Sequence, residues 1–141
     1  MLSAGLVLAA ALQSVTVHAP HADLTLEVAR TPSQREYGLM NRAQVAPHTG
    51  MIFVFDGDGP VAFWMKDTRE PLDMIFLAAD GTVRRVFANV PVVPRTMADQ
   101  DIPREADVAK YVIELAAGEA AKDGIAAGVR LDLRNVPPAT L

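Results

Sequence analysis

The sequence predicts an α+β domain on a mostly antiparallel, strongly bent or barrel-like sheet of seven or eight short strands, with two short helices. Three observations carry that expectation. Apolar residues fall in short alternating or continuous runs separated by Gly, Pro, Asp and Asn. Only two stretches carry helix-start or helix-stop chemistry. Strands and helices do not alternate regularly, so a doubly wound parallel sheet is not expected. The bulk numbers agree with one globular domain: 141 residues, 50% apolar and 21% charged, with a net charge of −4.

The first twelve residues, MLSAGLVLAAAL, account for the excess in mean hydropathy. Ala4 to Leu12 has the length of a signal-peptide core and is too short to span a membrane. Ala9 and Ala11 suit a cleavage site, although no Lys or Arg precedes Arg30. Residues 1–12 are therefore expected to be a signal-peptide remnant or an N-terminal tail, and 13–141 the domain. That expectation carries a periplasmic or secreted location, with a cytoplasmic one otherwise. The absence of cysteine fits both and excludes thiol chemistry.

Val15 and Val17, then Leu24, Leu26 and Val28, alternate with polar residues as half-buried strands do, with a turn over 19–23. Thr31-Pro32-Ser33-Gln34 reads as a helix start, with Thr31 as N-cap, Pro32 at the first helical position and Gln34 completing a capping box. This helix is expected to reach Asn41 with Tyr37, Leu39 and Met40 turned inward. Met51–Phe55 and Val61–Met65 read as strands joined by a hairpin loop, Asp56-Gly57-Asp58-Gly59. Met74–Leu77 reads as a strand buried on both faces, and Asp80-Gly81 turns the chain into Thr82–Val90. Residues 91–109, with three prolines and six charges, read as a long irregular excursion. Tyr111–Leu115 is a further strand, Gly118–Asp123 one or two helical turns, and Val129–Leu133 the last strand.

The inventory forbids several chemistries. The three serines, Ser3, Ser14 and Ser33, lie outside any nucleophile elbow. No glycine-rich phosphate loop occurs, and no basic block marks a nucleic-acid footprint. A calcium loop starting at Asp56 fails, because Pro60 and Val61 stand where an oxygen ligand and a glycine are required. His18 and His21 with Asp23 read as a polar strand end, and His48 as a solvated loop residue. Met40, Met51, Met65 and Met74 read as core packing in preference to soft-metal ligands. No cofactor, metal or membrane span is expected.

The most informative stretch runs from Phe63 to Met74, where two apolar runs are joined through ionisable groups of both signs. Trp64 offers an apolar face and one N–H, which suits a pocket wall. Arg42 and Lys66 would anchor anionic or hydroxylated groups, while Asp67, Thr68 and Asp73 would orient a ligand or fix the loop through its backbone N–H groups. Three functional readings follow. The leading one is an exported small-ligand binding domain of the cell envelope, without catalysis, sited around Trp64–Asp73. The second is a structural or partner-binding module using the 91–109 loop. The third is a hydrolase or lyase using Asp73 with Asp67 or Glu36 as acid and base.

Four linked motifs then point to a family. Gly38-Leu39-Met40-Asn41-Arg42, Gly50–Phe55, Phe63–Thr68 with Pro71-Leu72-Asp73, and Tyr111–Gly118 resemble domain-of-unknown-function family 192, from about Val15 to Leu133. The resemblance implies a compact, mostly β domain with few helices and an exported bacterial or archaeal protein. It implies no reaction. Members commonly carry Asn at the position of Asp67, so this chain has an extra negative charge beside Lys66.

Overall fold

The computed structural model describes residues 11–141, so the first ten residues of the expected leader lie outside it. Six strands form one sheet: β1 (Ser14–His18), β2 (Asp23–Ala29), β3 (Thr49–Phe63), β4 (Leu72–Leu77), β5 (Val83–Val90) and β6 (Glu105–Ala116). Their order is β1-β2-β3-β6-β4-β5. Every neighbouring pair is antiparallel except β2–β3, which is parallel. The sheet is therefore mixed and open, with β1 and β5 as edges, and not a closed barrel.

The alternating side chains of β1 and β2 put Val15, Val17, Leu24, Leu26 and Val28 on one face, in the register Val15↔Leu26 and Val17↔Leu24. The parallel β2–β3 pair requires a crossover. That crossover carries α1 (Pro32–Tyr37), whose capping box forms as the sequence predicts. The Gln34 N–H donates to Thr31 Oγ1 at 3.2 Å, and Gln34 Oε1 accepts from the Thr31 N–H at 3.2 Å. All six residues of β4 are buried, because both faces of the sheet are covered. One core contains Ile52, Ile75, Ile113, Leu115, Leu131 and α2 (Glu119–Lys122) through Ala120. The other contains Met51, Phe53, Met65, Met74, Phe76 and Val112, beneath α1 and its following turn at Leu39.

Four expectations are corrected. Among the described residues the strands number six, not seven or eight, because Asp56–Gly59 is not a hairpin. β3 runs through it, and the register against β6 jumps from Val54↔Tyr111 to Gly59↔Ala109. The extra residues of β3 bulge outward, and the Arg84 guanidinium grips the Asp58 carboxylate there. Val129–Leu133 is no strand: it makes a single bridge, Thr82↔Arg130, while Leu131 and Leu133 anchor in the core. The irregular excursion ends at Arg104, since Glu105–Ala109 pair with Gly59–Phe63 as part of β6. Finally, α1 stops at Tyr37 because Gly38 turns to φ +51°, leaving Tyr37 56% exposed while Leu39 is buried.

Candidate functional site

The site begins with β6, the strand between β3 and β4. Ile113 and Leu115 point to one core, so Glu114 must point to the other face, with Val112. Its cross-strand partners there are Met51 on β3 and Met74 on β4. Glu114 is 4% exposed in this apolar setting. Burial alone pushes its carboxyl up to about 8, with no charge or hydrogen bond from the described residues offsetting the loss of water. It is a neutral acid at pH 7, able to donate through O–H and accept through C=O.

The carboxyl sits at the base of a cavity of about 210 Å³. Beyond its bulge, β3 brings Phe63 to the cavity wall beside Phe53 and Phe55. Phe63 packs edge-on against Phe53 at 4.9 Å, Phe55 at 6.1 Å and Phe76 at 5.7 Å. Trp64 and Tyr37 complete the aromatic lining. Two cations lie on the Trp64 ring, the Arg104 guanidinium at 4.6 Å and the Lys66 ammonium at 5.2 Å, which fixes the indole in place. Lys66 donates to Asp99 at 2.9 Å, a contact that raises its already high pKa and keeps it charged. Arg35 covers the Phe55 ring at 5.2 Å and donates to the Arg30 and Val54 carbonyls. Gly38 permits this close assembly. A Cβ there would stand 3.1 Å from the Phe53 ring and 3.8 Å from Glu114 Oε1.

The residues singled out in the sequence divide into three places. Trp64, Lys66 and Thr68 line the cavity. Thr68 also donates to the Lys66 carbonyl at 3.2 Å, so its hydroxyl shapes the loop. Asp67 lies beside the opening, in a groove shared with Tyr37, Met40 and Trp64. It has φ +51°, a left-handed conformation that Asn and Asp tolerate better than other side chains. This accounts for both Asn and Asp at that position, and the Asp67 carboxylate faces Arg95 at 3.7 Å.

Arg42 is not in the cavity. It pairs with Glu27 in a separate groove with Thr25 and Gln44. Asp73 points to the opposite face of the sheet from Leu72 and Met74. There it is 1% exposed and accepts from the Asn89 N–H at 2.9 Å and the Ala120 N–H at 3.0 Å, tying β4 to β5 and α2. Asp67 and Asp73 therefore do not meet as an acid/base pair. His18 pairs with Asp23 in solvent, the His21 ring meets the Lys122 carbonyl, and Met51, Met65 and Met74 are core residues. The residue of this candidate site that the sequence reading does not single out is Glu114. Its signal was a single charge inside the apolar run Tyr111-Val112-Ile113-Glu114-Leu115.

The fold agrees with what the chain is similar to. The model of the family described as "Uncharacterized ACR, COG1430" (DUF192) matches residues 14–133. The chain belongs to this family. Among solved structures, it is similar to a Sinorhizobium meliloti 1021 protein described as a candidate transcription regulator. The two are 42% identical over 88% of this chain and 96% of that one, with a TM-score of 0.75. It is also similar to a Novosphingobium aromaticivorans DSM 12444 protein of unknown function, at 30% identity over 94% of this chain and 98% of that one, with a TM-score of 0.68. No curated protein matches. Among the described residues, no helix is long and apolar enough to cross a membrane.

Proposed function

We propose that this domain binds a small, neutral, hydroxylated molecule in the Glu114 cavity. One observation carries the reading: a protonated carboxyl without a compensating partner lies at the base of an aromatic-lined cleft. A neutral acid matches a hydroxyl pair, giving one hydrogen bond and taking another. Trp64 offers its ring for stacking on the apolar face of such a ligand. The cavity is smaller than the ~300–1,000 Å³ usual for drug-sized ligands, which suits a molecule of sugar or polyol size. A neutral acid leaves no negative charge at the base of the cavity to hold a cation. The apolar run of residues 4–12 supports an exported domain, which cell fractionation tests directly.

Ligand-observed NMR against a panel of monosaccharides and polyols tests the site. Binding is expected for the native chain and is expected to be lost in Glu114→Ala and weakened in Trp64→Ala. Panel binding that both variants retain, or no binding at all, would overturn the reading.

A second reading has one observation in its favour. A carboxyl at about 8 in a cleft is also a general acid in waiting, and Glu36 lines the same opening. Turnover of a bound panel member that disappears in Glu114→Gln would establish it, whereas binding without turnover supports the first. The DNA contact suggested by the description of the S. meliloti relative finds no support in a chain of net charge −4 without a basic block.

A further inference from the structure

We infer that His48, Glu119 and Asp123 form a divalent-cation site that clamps α2 to the start of β3. The site stands apart from the Glu114 cavity. It lies at the end of the sheet where β3 and β4 begin and β6 finishes. His48 immediately precedes β3, while Glu119 opens α2 and Asp123 closes it. Residues about seventy positions apart in sequence thus bring one imidazole nitrogen and two carboxylate oxygens within 4.8 Å of one another.

Two features turn this juxtaposition into a ligand site. The Asp123 side chain is 1% exposed, yet its Oδ2 has no hydrogen-bond partner among the described residues. Its Oδ1 already meets His48 Nδ1 at 3.0 Å. A buried carboxylate oxygen without a donor is costly, and a cation is the partner it lacks. Glu119 is itself buried, so two carboxylates share a poorly hydrated corner. The cation that Glu119 now meets is Lys122 at 3.3 Å, on a side chain 72% exposed that is free to swing into solvent.

The backbone already holds the donors in place. The His48 carbonyl accepts from the Thr25 N–H at 2.9 Å, and the Asp123 carbonyl from the His21 N–H at 3.1 Å. Metal–ligand bonds of about 2.0–2.2 Å to nitrogen and oxygen need the donors somewhat closer than they stand. The His48 side chain, 54% exposed, has the freedom to close that gap. One imidazole with two carboxylates selects a borderline ion such as Zn²⁺ over Mg²⁺ or Ca²⁺, and a water molecule would complete a tetrahedron.

Calorimetric titration of the chelator-treated full chain with Zn²⁺ tests this. One ion per chain is expected, with a rise in Tm. His48→Asn keeps a residue that tolerates the φ of +60° and is expected to weaken Zn²⁺ at least tenfold. Asp123→Asn is expected to do the same; should that variant fail to fold, the solvent-facing His48→Asn decides alone. His18→Asn, which breaks the exposed pair with Asp23, is the control and is expected to leave binding unchanged. Absence of saturable uptake, a loss below tenfold in His48→Asn, or uptake that only His18→Asn removes would each overturn the site.

Discussion

Two buried acidic side chains on neighbouring strands of the same sheet do opposite work. Asp73 lies opposite Leu115, and Glu114 lies opposite Met74, so the two acids are diagonal neighbours that point through opposite faces. Asp73 is closed in by two backbone N–H donors and holds β5 and α2 in place. Glu114 receives no such help and keeps its proton. Burial is common to both; what differs is whether the local backbone satisfies the group. The satisfied acid belongs to the architecture, and the unsatisfied one opens onto a cavity where a ligand can complete it.

The largest expected effect is the pH dependence that Glu114 imposes. Glu114 has its folded pKa raised from 4.5 to about 8, so the native state holds a proton that the unfolded chain releases. Its contribution to stability is complete below about pH 4.5 and is lost as pH rises through about 8, by an amount on the order of 5 kcal/mol. Urea unfolding between pH 4.5 and 9 should show this decline, and Glu114→Gln, neutral throughout, should flatten it. A native profile that matches Glu114→Gln would overturn the raised pKa of Glu114.

The next effect lies on the other face. Asp73→Ala strands two backbone N–H groups in a dry environment and should cost about 3 kcal/mol. The loss should be visible in the urea midpoint, with faster amide exchange at Asn89 and Ala120. Chemical shifts around Trp64 should stay put, since Asp73 makes no contact with the cavity.

The smallest effect probes the cavity wall. Gly38→Ala forces a side chain into φ +51° and presses a Cβ against Phe53. It should cost about 1–2 kcal/mol and displace α1 from the Glu114 carboxyl. Thermal unfolding measures the first, and shifts in the Phe53 and Trp64 ring signals report the second.

Much of the fold was legible where local chemistry and tertiary structure agree. The β1–β2 alternation, the Thr31–Gln34 capping box and the Asp80-Gly81 turn each depend on near neighbours. The bulge of β3 was not legible, because Asp56-Gly57-Asp58-Gly59 has good turn chemistry and only the length of β6 overrides it. Trp64, Lys66 and Thr68 were legible as cavity candidates because they stand together in a stretch where an aromatic ring meets ionisable groups of both signs. Asp73 shares that stretch, yet the twofold alternation of β4 sends it to the far face. Glu114 shows the reverse: no sequence neighbour suggests a site, and its surroundings come from β3, β4 and α1.

The strand order also sets a timetable. The segments up to β3 pair among themselves, and so do β4 and β5, but β6 alone joins the two groups within the sheet. Until the chain has been synthesised beyond Ala116, both halves expose an unpaired strand and an apolar face. Folding therefore waits for insertion of a late segment between two early ones, the kind of long-range pairing that slows a small domain. Residues 105–116 thus act as a completion signal: chains interrupted before them should be left to aggregation or proteolysis, and the strand that completes the fold is also the one that delivers Glu114.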